Sequence, residues 1–315
     1  MTGHELDEPR DEVVGSARRG RLLVIGAVLL AAVISAHAWV PNVHGMGSLL
    51  DSAVPLSVAL VPALGIAALV RRSRRAAVAT LLPAVTWAAM FSSAWLPTGA
   101  GGDAQLRVVS QNLRAGNPDP AATARALVAT DPHLIALQEV DERTRKVVSQ
   151  ALDPRYPHRA TASTVSLWSR FPIRSYAGVD TGLPWTRALR AVVAAPGGDV
   201  VVYVAHLGSA RIGETATRDR TVAALTRQLR ADRAERLILL GDLNTAATDR
   251  VIRPLTGLLS DAQADAGHGF GFTWPSVLPV TRPDHILYRG LTATSAGVLR
   301  TPASDHRAVI AGFRS

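Results

Sequence analysis

The chain has 315 residues, no cysteine and a formal net charge of +9 at pH 7. This length accommodates one large domain or two smaller ones, and the lack of cysteine excludes a disulfide framework, thiolate catalysis and a cysteine-based zinc site. Lys146 is the only lysine, so arginine carries the positive charge. Because a guanidinium binds phosphate in a bidentate manner, the composition is compatible with an anionic substrate.

Three segments within the first hundred residues contain no Asp, Glu, Lys or Arg. A helix needs about 20 predominantly apolar residues to cross the hydrocarbon core of a bilayer. After an N-terminal tail of residues 1–21, we therefore predict a membrane region of residues 22–96. Its three transmembrane helices lie at about residues 22–40, 52–70 and 76–96.

The distribution of arginine predicts the orientation of these helices. Arginines precede the first span and recur in RRSRR, residues 71–75, whereas the loop of residues 41–51 contains neither Lys nor Arg. The positive-inside rule then places the N-terminus in the cytoplasm and the chain after the third span outside the cell membrane. An alternative is that the first span is a signal peptide cleaved after AHA, residues 36–38, which leaves the destination of the C-terminal part unchanged.

Residues 97–102, PTGAGG, have the composition of a linker. The sequence after it, residues 103–315, is typical of a soluble α/β domain with short apolar runs and amphipathic stretches. The predicted strands are residues 106–112, 134–139, 165–170, 189–195, 200–206 and 237–242. The fourth and fifth strands, joined by PGGD, predict a hairpin. One helix is predicted after the N-cap Asp119 and another over residues 215–232.

Polar side chains recur at the ends of these strands and beside the last apolar runs. A single polar residue at a strand exit is more often a turn former. Ligands, however, bind at the carboxyl ends of strands in α/β sheets, so the recurrence favours a functional site. The candidates are Asn112, Glu139, His206, Asp242, Asn244, Asp284, Asp305 and His306.

These residue types favour a metal-assisted hydrolysis. Carboxylate and amide oxygens bind hard divalent cations such as Mg²⁺, and histidines stabilise or protonate phosphoryl oxygens. The sequence contains no nucleophile elbow, Walker loop or dinucleotide fingerprint. Attack of water on a phosphoester or phosphoanhydride is therefore the reaction that fits best.

The motifs QN, LQEVD, SRFPI, AHLGS, LLGDLN, PDHILY and SDHRAVI follow one another across residues 111–310. This ordered set resembles the endonuclease/exonuclease/phosphatase superfamily. The resemblance implies a four-layer α/β/β/α sandwich, that is, two packed mixed sheets flanked by helices, with Mg²⁺ as the cofactor and Mn²⁺ as its alternative. The segment NLRAGN departs from the pattern that follows the first Asn in the AP-endonuclease branch, so a second metal ion is not predicted.

The resemblance also implies a role for each candidate residue. Glu139 would be the main metal ligand, with Asn112 beside it and Asp305 near the metal. Asp242 would orient or deprotonate the attacking water, and Asn244 would hold the phosphate or that water.

On the phosphate itself, the resemblance implies that His306 binds the phosphoryl oxygen and is oriented by Asp284. His206 would contact the phosphate from the opposite side. From the residues alone, Arg187 or Arg190 is a further candidate phosphate ligand on the strand before His206.

Membrane attachment raises the effective concentration of membrane-borne substrates. The layout of three spans, a short linker and an external domain is similar to the teicoplanin-resistance membrane proteins of the VanJ type. That similarity implies phosphate removal from undecaprenyl pyrophosphate or a related lipid-linked phosphate, at the outer face of the membrane, and a role in glycopeptide resistance. The predicted partners are the lipid bilayer and this substrate, and no protein partner is predicted.

Two alternatives stay open at this point. The first is an extracytoplasmic nuclease or a phospholipid phosphodiesterase of the same superfamily. Residues 103–315 contain 26 basic and 19 acidic residues, a balance that suits a polyanion, although nucleic acid is the less favoured partner. The second is a membrane interaction module without catalytic activity.

Overall fold

The computed structural model describes residues 10–96, 101–211 and 213–315, with side chains from residue 20 onward within those ranges. The start of the predicted tail, residues 1–9, and most of the predicted linker, residues 97–100, lie outside the described residues. The described chain forms two compact units. The first contains the chain up to Pro41 and Ala53–Ser92, and the second contains Asn42–Ser52 and the chain from Ser93 onward.

The first unit is helical and apolar. Three helical stretches are long and apolar enough to cross a membrane, at Gly20–Trp39, Val43–Val70 and Arg74–Ala94. Many of their large apolar side chains are exposed, as expected of helices that face lipid. The α-helices of the chain before the linker are α1 (Arg10–Ala36), α2 (Met46–Ala53), α3 (Leu60–Val70), α4 (Arg74–Ala79) and α5 (Leu81–Phe91), and all of α2 except Ala53 belongs to the second unit.

The second unit contains two six-stranded mixed sheets with helices outside them. The strands are β1 (Leu106–Asn112), β2 (Leu134–Gln138), β3 (His158–Ala162), β4 (Val165–Ser169), β5 (Ile173–Gly178), β6 (Ala188–Ala195), β7 (Gly198–His206), β8 (Leu237–Asp242), β9 (Ser260–Asp261), β10 (Asp284–Arg289), β11 (Thr292–Leu299) and β12 (Ala308–Arg314). The helices are α6 (Pro120–Ala129), α7 (Glu142–Leu152), α8 (Ala216–Ala231), α9 (Arg253–Thr256) and α10 (Ala262–Ala266).

The strand order is β11-β12-β1-β2-β4-β3 in the first sheet and β5-β6-β7-β8-β10-β9 in the second. The pairs β1–β2 and β7–β8 are parallel, and the other pairs within the sheets are antiparallel. The largest apolar cluster lies between the sheets and includes Leu134, Val202 and Leu240. Two further clusters pack α8 and α9 against the second sheet, and α6 and α7 against the first. The predicted four-layer sandwich is therefore confirmed.

Local signals account for several of these elements. The predicted hairpin is formed by β6 and β7, which pair antiparallel from Ala188 opposite Ala205 to Ala195 opposite Gly198. Helix α6 begins as predicted, because the Asp119 side chain accepts a hydrogen bond from the Ala122 N–H at 2.9 Å.

The loop between the first two apolar stretches, Asn42–Ser52, belongs to the second unit. Its Asp51 is fully buried and accepts two hydrogen bonds from the Arg250 guanidinium, at 2.7 and 2.9 Å. Its Ser48 accepts a hydrogen bond from Arg218 at 2.9 Å. Arg218, only 1% exposed, also donates to the buried Asp249 at 2.8 Å. This loop therefore completes two hydrogen-bonded charge clusters within the second unit.

Replacing Arg218 with Met tests the importance of one of these clusters. The variant leaves the buried Asp249 carboxylate without its cationic partner, so we expect the free energy of unfolding to fall by about 3–5 kcal/mol. The measurement is denaturant unfolding of the full chain in detergent. Arg227, exposed on the same helix α8, supplies the control, and Arg227→Met should change the stability by less than about 0.5 kcal/mol. Equal stabilities of the two variants would contradict the expectation.

Candidate functional site

The candidate residues lie where corresponding ends of the two sheets meet. Asn112 ends β1, His206 ends β7 and Asp242 ends β8. The register pairs His206 with Asp242, and Asp242 with Asp284 at the start of the antiparallel β10. Strand pairing therefore brings His206, Asp242 and Asp284 together in the second sheet. Asn112 reaches Asp242 from the first sheet.

Asn112 connects two carboxylates from different sheets. Its Nδ2 donates to Glu139 Oε1 at 3.0 Å and to Asp242 Oδ2 at 2.9 Å. Its Oδ1 accepts the Arg114 N–H at 2.9 Å. Glu139 follows β2 and has a φ of 58°, a conformation that is uncommon for a residue with a Cβ. Such backbone strain clusters at functional sites, and here it accompanies a carboxylate held in a cluster of polar groups.

The segment Gly241–Asp242–Leu243–Asn244 is shaped by a close approach of backbones. A Cβ at position 241 would lie 1.9 Å from the Ala205 carbonyl oxygen, and Gly241 has a φ of 145°, so glycine is required there. Asn244, with a φ of 50°, donates its backbone N–H to Asp242 Oδ1 at 2.9 Å and its side-chain Nδ2 to the Leu207 carbonyl at 3.0 Å. In this structure Asn244 therefore orients the Asp242 carboxylate.

His306 and Asp284 form a buried pair. His306 Nδ1 lies 2.8 Å from Asp284 Oδ2, which also accepts the Thr273 hydroxyl at 2.6 Å. Burial opposes the charged imidazolium, but the charge and hydrogen bond of Asp284 outweigh it and raise the pKa of His306 to about 9. At neutral pH His306 is therefore a cation, and its Nε2 lies 3.9 Å from Asp242 Oδ2.

His206, in contrast to His306, is neutral at neutral pH. Burial lowers its pKa to about 4, and the positive charge of Arg187 adds to that effect against the opposing influence of Asp242. Arg187 Nη2 lies 2.5 Å from His206 Nδ1 and 2.7 Å from His206 Nε2, so the guanidinium is in direct contact with the neutral ring. The same Nε2 lies 3.7 Å from Glu139 Oε1 and 3.8 Å from Asp242 Oδ2.

Asp242 is the centre of this arrangement. Burial raises its pKa, the nearby Asp284 raises it further, and the two histidines and Asn112 oppose the shift. A carboxylate with a raised pKa is a better proton acceptor than an ordinary one. The site thus combines a candidate base at Asp242, a neutral imidazole at His206 and a protonated imidazole at His306. Their different surroundings shift their pKa values in different directions.

The described residues contain a candidate acidic and histidine metal site. Ligand atoms of Asp242, Asp284 and His306 lie within 4.8 Å of one another. The oxygens of Glu139 and Asp242 also converge on Asn112, a donor chemistry that suits a hard divalent cation. The buried Asp284 Oδ1 has no hydrogen-bond partner within the described residues. The carboxylates of Glu139, Asp242 and Asp284 therefore suit a divalent cation.

One predicted residue, Arg190, is arranged differently. Arg190 donates to Asp232 at 2.6 Å, and Tyr203 donates to the same carboxylate oxygen at 2.8 Å. The structure thus brings Arg187 into the cluster, but it does not bring Arg190 there. Asp305 precedes His306, and within the described residues its buried Oδ1 has no hydrogen-bond partner.

Two positioning residues were not identified from the sequence. Thr273 donates to Asp284, and no periodicity or motif in its surroundings predicts this contact. Ser304 accepts from the His306 N–H at 3.0 Å and donates to the Asn112 carbonyl at 2.7 Å. Ser304 stands in the motif SDHRAVI, which was the available signal for its importance. Ser304 thus joins the end of β1 to the turn before β12.

A family model described as the endonuclease/exonuclease/phosphatase family matches residues 109–306, which is more than half of the chain. The chain belongs to this family. Enzymes of this family are typically dependent on a divalent metal. No functionally curated protein matches the sequence.

Solved structures similar to this chain show the same fold. The mannosyl-6-phosphatase of Bacteroides thetaiotaomicron is 17% identical, with a TM-score of 0.58, covering 67% of this chain and 100% of its own. TDP2 of D. rerio, complexed with single-strand DNA product, is 18% identical, with a TM-score of 0.58 and coverages of 68% and 100%. The 3′ phosphatase NExo from Neisseria, bound to a product DNA hairpin, is 20% identical, with a TM-score of 0.56 and coverages of 67% and 100%.

Acid should destabilise the second unit through its buried imidazoles. Burial lowers the pKa of His285 to about 4 from the ordinary value of 6.5. Below pH 6.5 the unfolded chain therefore binds a proton that the folded chain does not bind until about pH 4. The free energy of unfolding should fall across this window, by up to about 3 kcal/mol from this residue.

His285→Gln removes this titration while retaining an N–H donor for the Thr245 carbonyl, which His285 Nε2 contacts at 2.8 Å. We expect unfolding measurements from pH 7 to pH 4.5 to show a weaker pH dependence for the variant. His268→Gln, at an exposed histidine, is the matched control. An unchanged slope for His285→Gln would show that His285 does not contribute to acid destabilisation.

Proposed function

We propose that this protein is a membrane-anchored, divalent-metal-dependent phosphohydrolase. Its proposed substrate is undecaprenyl pyrophosphate or a related lipid-linked phosphate at the outer face of the cell membrane. The observation that carries the proposal is the convergence of Asp242, protonated His306, neutral His206 and Arg187 at the strand ends of a domain preceded by three apolar helical stretches.

The residues of the site divide the reaction between them. Asp242 accepts the proton of the attacking water, and Asn244 holds that carboxylate in place. His306, kept cationic and oriented by Asp284, stabilises the charge that develops on the phosphoryl oxygens. Arg187 supplies a second positive charge. The bond from phosphorus to the leaving oxygen breaks, and its electron pair remains on the leaving group.

In this proposal a divalent cation is held by Glu139, with Asn112 beside it and Asp305 nearby. When bound, it would act as a Lewis acid toward the phosphoryl group. The alternative set of Asp242, Asp284 and His306 is less favourable for it, because His306 Nδ1 is already hydrogen-bonded to Asp284.

Two observations support the proposed orientation. Asn42–Ser52 and the chain from Ser93 onward form one compact unit, which is consistent with three spans, since both segments then lie on the same side of the membrane. The loop at residues 41–51 contains no Lys or Arg, so the positive-inside rule assigns that side to the exterior. The N-terminal tail is then cytoplasmic.

A lipid-linked substrate follows from this topology, because tethering to the membrane raises the effective concentration of substrates in the same membrane. Removal of phosphate from undecaprenyl pyrophosphate would act on a cell-wall lipid carrier. A contribution to glycopeptide resistance, including teicoplanin resistance, is the corresponding physiological proposal.

A nuclease is the second candidate. Similar structures include one with a single-strand DNA product and one with a product DNA hairpin. The excess of basic over acidic residues in residues 103–315 also suits a polyanion. The test of the proposed function therefore includes DNA as a second substrate.

The test uses the full chain in detergent with undecaprenyl pyrophosphate or DNA, with Mg²⁺ or with EDTA. We expect phosphate release from the lipid that requires Mg²⁺. Glu139→Gln should lower kcat by at least about 100-fold, because it removes a carboxylate from the metal and substrate site. Glu142→Gln is the matched control, since Glu142 is exposed and pairs only with Lys146 among the described residues. Its kcat should stay within about twofold of the wild type.

The other outcomes distinguish the alternatives. DNA cleavage that is lost in Glu139→Gln, without lipid hydrolysis, would favour the nuclease. Hydrolysis that persists in EDTA and in the variant would contradict the metal mechanism. Absence of hydrolysis with any phosphoester would favour a module without catalytic activity.

The orientation has a separate test. A reporter enzyme that is active only outside the cytoplasm, fused after Phe313, should be active, and the same reporter fused after Arg72 should be inactive. Arg72 lies between the second and third apolar stretches, so the second fusion is the control for the positive-inside assignment. The reverse pattern of activities would invert the proposed topology.

A further inference from the structure

A recess of about 560 Å³ borders the candidate site. Arg114 and Arg300 line it together with Asp305, Pro275 and Val277. This volume is in the range of pockets that bind small molecules. We call it the arginine recess.

The arginine recess is connected to the site through the backbone. Arg114 donates its N–H to Asn112 Oδ1 at 2.9 Å, and Asn112 bridges Glu139 and Asp242. On the other side, Asp305 lies directly before His306 in the chain. A ligand group in the recess would therefore be adjacent to a phosphoryl group at the site.

The two guanidinium groups of the recess have no partner of their own. Arg114 and Arg300 are exposed, and within the described chain neither side chain takes part in a hydrogen bond or ion pair. Arg190 and Arg282, by contrast, pair with carboxylates. The two unpaired cations leave the recess with a positive charge that suits an anionic group with several oxygens.

One wall of the recess is apolar, and the chain at this wall is exposed to solvent. Val277 lines the recess, and Val277 and the adjacent Leu278 are 75% and 74% exposed. Ser276, the residue before Val277, is held in place, because its N–H donates to the Asp305 carbonyl at 2.7 Å and its hydroxyl donates to the Ser304 carbonyl at 2.8 Å. Two large exposed aliphatic side chains beside two cations match a ligand that carries a hydrocarbon chain next to an anion.

We propose that the arginine recess binds the second phosphate of a lipid diphosphate, with the first hydrocarbon segment of the lipid against Val277 and Leu278. The inference rests on the proposed function and specifies its substrate class. Arg187 and His306 serve the phosphoryl group that is attacked, whereas Arg114 and Arg300 serve the phosphate that leaves with the lipid.

The charge balance of the reaction explains why the leaving phosphate needs cations. Water adds to the terminal phosphorus and the P–O–P anhydride bond breaks. The bridging oxygen keeps the electron pair, so the products are inorganic phosphate and a lipid monophosphate. The added negative charge develops on that monophosphate beside the Asp305 carboxylate. Arg114 and Arg300 offset this charge, and a substrate with a single phosphate would not need them.

Binding tests the recess without requiring turnover. The full chain in detergent, with Mg²⁺, is titrated with a lipid methylenediphosphonate, which has no cleavable bridging oxygen, and with a monophosphonate of the same chain. Arg114→Gln and Arg300→Gln should each weaken diphosphonate binding by about tenfold and change monophosphonate binding by less than about twofold. Arg227→Gln is the matched control at an exposed arginine on α8.

Further ligands and variants separate the lipid from a free diphosphate. Methylenediphosphonate without a chain should bind at least about tenfold more weakly than the lipid form. The double variant Val277→Ser and Leu278→Ser should remove most of that difference. Equal binding of the chain-free ligand would overturn the lipid part of the proposal. Equal losses for diphosphonate and monophosphonate in the arginine variants would overturn the recess as a second phosphate subsite.

The outcome is separable from that of the proposed function. Hydrolysis of a lipid phosphate that depends on Glu139, combined with unchanged binding in Arg114→Gln and Arg300→Gln, would retain the phosphohydrolase and reject the recess. Failure of the wild type to bind the lipid diphosphonate would overturn both the recess and its substrate class.

Discussion

The hydrogen bond from Asn112 to Asp242 joins the two sheets at the point where their polar strand ends meet. Asn112 ends β1 in the first sheet and Asp242 ends β8 in the second, and the two side chains are 2.9 Å apart. This contact depends on the apolar cluster between the sheets, since a shift of either sheet would separate the donor from the acceptor. Glu139 accepts from the same Asn112 nitrogen, so both carboxylates share one positioning group.

Burial lowers the pKa of both histidines at this junction, and only His306 has a carboxylate partner that outweighs this effect. His206, beside Arg187, has its pKa lowered to about 4, whereas His306, paired with Asp284, has its pKa raised to about 9. Both rings lie within 4 Å of Asp242. A buried carboxylate with a raised pKa is thus placed between a neutral and a cationic imidazole. This division of charge is the basis of the proposed roles in proton transfer and in stabilisation of the phosphoryl oxygens.

Arginine serves different purposes in different parts of this domain. Arg218 and Arg250 pair with carboxylates in clusters that the loop Asn42–Ser52 completes. Arg187 contacts His206 in the site, and Arg114 and Arg300 in the recess beside it have no partner among the residues that the structure describes. Composition alone treats these residues alike, because each contributes one positive charge. Their partners distinguish structural arginines from those available to a phosphate.

The sequence by itself determined the apolar helical stretches, six of the twelve strands that the structure describes, and the family. Runs of apolar residues, the PGGD turn and the Asp119 cap are local signals, and the ordered motifs point to the same chemistry as the residue types. Only the tertiary structure decided which atoms meet. It paired Arg190 with Asp232 and brought Thr273 to Asp284.

The tertiary structure also gave His206 and His306 their different pKa values. Short strands such as β3 and β5 lack a distinctive local pattern, and contacts between sheets join residues that are far apart in the chain. Periodicity is a property of neighbouring residues, whereas the site is created by packing, which places these distant residues within hydrogen-bonding distance.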